Sequence, residues 1–159
     1  MTIGFTEDLP SKMALERVYG KSANERAAEI GYHLYQAGTA ADPVRTAGYL
    51  SQAAKNALAV GAFEEVLRLV ETTLMLLPGD KIRERAQALT MRGQAFWGLG
   101  RLDEAQAAMK GAAQRYEELG DAKAASAISE RLQAMQAMEE APQLEQPAEL
   151  ELVGAEGEA

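Results

Sequence analysis

The chain has 159 residues, 47 % of them hydrophobic, and a net charge of −8; its length fits one domain. It has no cysteine, which excludes disulfides and thiolate metal sites. No apolar run approaches the ~20 residues that span a bilayer, and the N-terminus MTIGFTEDLP has neither the basic flank nor the apolar core of a secretory signal, so a soluble cytoplasmic protein without membrane insertion is expected.

Residues 1–10 read as irregular, with Ile3, Phe5 and Leu9 free to pack on a neighbour. A short helix is expected from Ser11 to Tyr19, stopped by Gly20. The second opens at a capping box, Ser22 with Glu25 three residues on, whose reciprocal bonds satisfy two orphan backbone donors. It carries Ala27, Ile30, Gly31 and Leu34 on one stripe, with Tyr35 alongside, and ends at Gly38. The third starts at Asp42-Pro43, an N-cap followed by proline at the first helical position. Its stripe is Ala47, Leu50, Ala54, Ala57 and Leu58 before Gly61. The fourth has Phe63, Val66, Leu67, Val70 and Leu74 and stops at Pro78-Gly79.

A fifth helix is expected after Asp80 and a sixth after Gly100, a residue that readily takes the left-handed conformation ending a helix. Their apolar or small positions, Leu89, Gly93 and Phe96, then Leu102, Ala105, Met109 and Ala112, recur at helical spacing. Asp103 and Glu104 place negative charge in the first turn of the sixth. The seventh starts at Asp121, carries Ala125, Ile128, Leu132 and Met135, and fades near Ala141. From Pro142 on, the composition cannot bury enough apolar area to offset its ordering entropy, so 142–159 is expected to be disordered. Residues 139–159 hold seven acidic and no basic residues, leaving the remainder of the chain near neutral. That distribution argues against nucleic acid, which requires a basic stripe.

A shift of about 39 residues lays the third and fourth helices on the fifth and sixth. Leu50 falls on Leu89, Ala54 on Gly93, Ala57 on Phe96 and Gly61 on Gly100. Phe63 falls on Leu102, Val66 on Ala105, Val70 on Met109 and Thr73 on Ala112. A fixed period of this kind is the signature of a solenoid.

The stretch LTMRGQAFWGLGRLDEAQAAM, with its Gly and aromatic in one helix and its Ala and large apolar residue in the next, resembles the tetratricopeptide (TPR) repeat. Pro78 stands where that pattern places its closing proline. The period exceeds the usual ~34 residues, Arg92 occupies a normally apolar place, and Val66 stands where Ala is usual. The segments RAAEIGYHLYQAG, DPVRTAGYLSQAAKNAL and FEEVLRLVETTLMLLP resemble the C-terminal TPR arrays of bacterial STAND-type signalling ATPases and regulatory cyclases. The resemblance implies an all-α, antiparallel helical-hairpin solenoid of about seven helices over residues 11–141. Its repeats would run approximately 42–79 and 81–119, with a capping helix at 121–141 and an acidic tail at 142–159. It further implies a sensor or protein-docking array, with any catalysis lying outside this chain.

Reaction chemistry is not expected. His33 is the only histidine; Glu29 stands four residues earlier, but a metal site needs a second ligand set. The adjacent carboxylates Glu64-Glu65, Asp103-Glu104 and Glu117-Glu118 point apart on a helix and form no acid/base dyad. A nucleophilic triad lacks its parts. Gly31, Gly48, Gly93 and Gly111 lie inside helices, where close helix contact explains them better than a phosphate loop. No metal, cofactor or catalytic residue is expected.

The remaining expectation is protein binding. In TPR solenoids the first helix of each hairpin lines a concave face. Transferred here, that face takes Gly48, Ser51, Lys55 and Leu58 from the third helix and Gln87, Thr90, Gln94 and Trp97 from the fifth. Trp97, next to small Gly98, reads either as a peptide anchor or as a packing residue. The basic, Asn-rich carboxylate clamp of one TPR subset is poorly matched by Ser51, Lys55, Thr90 and Gln94. Ile128, Leu132 and Met135 read as a cap on the preceding hairpin, with Met138 offering a seam for self-association. The leading expectation is a non-enzymatic scaffold or adaptor that binds another protein or peptide segment. The rival is a structural subunit that docks by its end helices into a larger assembly.

Overall fold

The computed structural model describes residues 24–38 and 42–141. These are all-helical, with six helices: α1 (Ala27–Gln36), α2 (Pro43–Ala59), α3 (Phe63–Leu76), α4 (Ile82–Gly98), α5 (Leu102–Glu118) and α6 (Ala122–Glu140). The helix expected at Ser11–Tyr19, the irregular segment 1–10 and the tail 142–159 lie outside the described residues.

Local chemistry explains most helix ends. Asp42 caps α2 by accepting the Val44 N–H at 3.0 Å, with Pro43 supplying the fixed φ of the first position. Asp121 caps α6 by accepting the Ala124 N–H, also at 3.0 Å. The box expected from Ser22 and Glu25 does not open α1. Glu25 precedes the helix in a turn, Ser22 lies outside the described residues, and the first turn of α1 instead carries a bidentate Arg26–Glu29 pair.

Three helices end alike. Gly61, Gly100 and Gly120 have φ of 73°, 75° and 73°. Across each, the following residue's N–H returns to the carbonyl five residues back: Ala62 to Ala57, Arg101 to Phe96 and Asp121 to Tyr116, all at 2.9 Å. The glycine N–H meanwhile bonds three residues back, which makes each end a Schellman motif. α3 stops differently. Leu77 is extended (φ −71°, ψ 128°), as the residue before a proline prefers. Arg85 then reaches across from α4 and donates to the Leu74 and Leu77 carbonyls at 3.0 Å each, satisfying orphan acceptors of α3.

Consecutive helices pack on one another, and α2 also touches α4. α2, α4 and α6 start at Pro43, Ile82 and Ala122, so α6 begins one repeat length after α4. The core has two clusters. The first centres on Leu50, Val66, Leu69, Val70 and Met91. The second centres on Phe96, Met109, Tyr116, Ile128 and Met135, and Leu67 packs against both.

Small residues serve this packing unequally. A Cβ on Gly31 would stand 2.9 Å from Leu50, and one on Gly93 2.9 Å from Met109, so α1–α2 and α4–α5 close over these glycines. Gly111 has only an ordinary neighbour, Leu89 at 3.5 Å. Gly48 faces open space, which corrects the expectation of close helix contact there. Arg92 stays exposed, its guanidinium 5.5 Å from the centre of the Phe96 ring.

Candidate functional site

A concavity of about 460 Å³ is lined by Lys55, Leu58 and Ala59 of α2 and by Gln87, Thr90, Met91 and Gln94 of α4. Tyr116 of α5 and Arg131 of α6 complete it. It therefore holds five of the residues expected on the concave face: Lys55, Leu58, Gln87, Thr90 and Gln94. α2 and α4 touch directly and both point helix positions spaced by three or four toward it.

Ser51 and Trp97 do not line this concavity. Ser51 is half-buried on α2. Trp97 is half-buried and packs against the second core cluster. Its neighbour Gly98 has the Phe63 ring where a side chain would begin. Ile128 and Met135 are buried in the second cluster and Leu132 packs against it, consistent with covering the α4–α5 hairpin.

Ala59, Met91, Tyr116 and Arg131 are the lining residues that sequence reasoning missed. Tyr116 and Arg131 come from α5 and α6, outside the two helices that the TPR resemblance selects. Burial pushes the Tyr116 phenol above its ordinary value, opposed by the Arg83 charge, reinforced by Asp121 and opposed by Thr90. Tyr116 is buried, and its side chain shares a hydrogen bond with Thr90 beside it. Thr90 donates to the Ala86 carbonyl at 2.9 Å. Lys55 and Arg131 are exposed, and neither forms an ion pair among the described residues. No carboxylate lines the space. The surface combines two cations, two amides, two hydroxyls and an apolar floor of Leu58 and Met91.

Other features offer less. A larger depression of about 600 Å³ lies at Gly61–Glu65, Arg68 and Leu99. Its Arg68 and Glu65 bond each other, and that hydrogen bond raises the Arg68 pKa further above its ordinary range. Gly48 lines a third depression with Asn24, Val44, Arg45, Tyr49 and Gln52. His33 is exposed with its edge toward Tyr32, and Glu29 is held by Arg26. Among the described residues no three His, Asp or Glu side chains are grouped to hold a metal ion, and no helix is long and apolar enough to cross a membrane. Comparison with protein families, with curated proteins and with solved structures found no match for the chain.

Proposed function

We propose that the chain is a non-enzymatic, TPR-like binding scaffold that holds a segment of another protein in the groove between Lys55 and Arg131. One observation carries this reading: side chains of α2, α4, α5 and α6 converge on one concavity whose cations, Lys55 and Arg131, have no ion-pair partner among the described residues. Cations and amides ringing an apolar floor suit a peptide, because amides pair with its backbone while an apolar anchor fills the floor. The repeat of about 39 residues and the resemblance to TPR arrays support a solenoid whose first helices line this face. The same resemblance favours a sensor or docking role in a bacterial signalling system, in the cytoplasm. Ile128, Leu132 and Met135 are occupied within the fold, which favours the groove over end-helix docking.

The test is affinity capture from native extract with the wild type beside Lys55→Glu/Arg131→Glu, each checked for helicity by circular dichroism. Loss of a stoichiometric partner from the folded double variant is the expected result. Full retention of that partner would overturn the groove reading.

A further inference from the structure

We infer that the chain's own acidic segment Glu149–Val153 occupies the Lys55–Arg131 groove in the absence of a partner. The inference rests on the groove reading and adds the identity of a resident ligand. Charge complementarity carries it. The groove presents two cations without an ion-pair partner among the described residues and no lining carboxylate. Residues 142–159 contain five glutamates and no basic residue.

The pattern within the segment matches the groove as well. Glu149-Leu150-Glu151-Leu152 alternates acid and apolar, and Val153 follows. In extended backbone, alternate side chains point to opposite sides. The two glutamates then face the cationic rim while Leu150 and Leu152 face Leu58 and Met91.

Chain length permits the return. Arg131 lies ten residues before Ala141, or about 15 Å along a helix. Residues 142–148 span at most about 25 Å when extended. That covers the axial step and a sideways step into the groove. Tethering makes the contact intramolecular, at an effective concentration on the order of millimolar. A weak contact then suffices to fill the site, and an incoming partner must displace it.

The test uses the full chain. Because it has no cysteine, Gly154→Cys carries a nitroxide at one defined place. Paramagnetic broadening of the Lys55, Gln94 and Arg131 amide signals is the expected result. It should disappear in the Glu149→Gln/Glu151→Gln background and in 0.5 M salt, where the Debye length shrinks to about 4–5 Å. Broadening confined to the end of α6 would overturn the inference. So would broadening that appears when label and observed groove are on different molecules. The two readings fail separately. If Lys55→Glu/Arg131→Glu releases the captured partner but the label broadens nothing, only the resident segment is wrong. If the label broadens the groove but the partner survives those substitutions, only the partner site is wrong. If both readings hold, Glu149→Gln/Glu151→Gln tightens partner binding by roughly 3–10-fold.

Discussion

The Phe63 ring lies flat against the place where a side chain on Gly98 would begin, and a Cβ there would stand 2.4 Å from two of its atoms. Gly98 is the last residue of α4 and Phe63 the first of α3. The contact therefore joins the end of one helix to the start of the helix before it.

Gly98→Ala must displace that ring, and overpacking of this kind costs about 1–3 kcal/mol, partly offset by the ~1 kcal/mol that alanine gains in a helix. A net loss of up to about 2 kcal/mol is expected. Gly48→Ala is the opposite case. It meets open space inside α2 and should stabilise by about 0.5–1 kcal/mol. Urea unfolding of both variants checks the sign: a stabilising Gly98→Ala would refute the contact.

Met109 is fully buried against Gly93 and belongs to the second cluster. Met109→Ala removes its contacts and leaves a cavity, for an expected cost of about 2–5 kcal/mol. Trp97→Ala should also destabilise, by about 2 kcal/mol, because the indole packs against the same cluster. A folded Trp97→Ala protein should keep its groove ligand. Chemical denaturation together with partner capture tests both statements, and lost binding with unchanged stability would return Trp97 to the site.

Gly100→Ala forces a β-carbon into φ 75°. The left-handed conformation costs an L-residue roughly 1–2 kcal/mol. The same loss is expected at Gly61 and Gly120, which share that geometry. Thermal melts of the three alanine variants should show similar drops.

Asp121 accepts hydrogen bonds from Arg83 at 2.9 Å and from the Ala124 N–H. The Arg83 bond, then the backbone bond, hold its carboxyl below the ordinary carboxylate range. A lowered folded pKa means that the contribution to stability is complete above the unfolded value of about 4 and is lost as pH falls through the folded value. Asp121→Asn keeps a capping side chain but loses the charge. The variant should be less stable than wild type at pH 7, with the gap closing below about pH 4. A gap that stays constant down to pH 2.5 would show that the ion pair contributes nothing.

Much of the helical framework is legible in the sequence. The Asp42-Pro43 start, the Gly61 and Gly100 stops and the Asp121 start are each written in a few adjacent residues. A cap or a Schellman end involves backbone groups no more than five residues apart. The capping box at Ser22 shows the limit: such a motif is permissive, and α1 starts at Ala27.

Neighbours across helices were less legible. Five residues of the concavity were among those that the resemblance to TPR arrays implied for a concave face. Tyr116 and Arg131 were not, because they reach the groove from α5 and α6. Nor were the Arg85 bonds to the end of α3 legible. Glycine alone does not say whether its missing side chain is needed: Gly93 sits under Met109, whereas Gly48 faces open space. Helix ends are decided by hydrogen bonds within one turn of chain, which the sequence spells out locally. The composition of the groove, the core contact of the half-buried Trp97 and the partners of Arg85 depend on how separate helices cross and how far long side chains reach, and only the packed structure decides those.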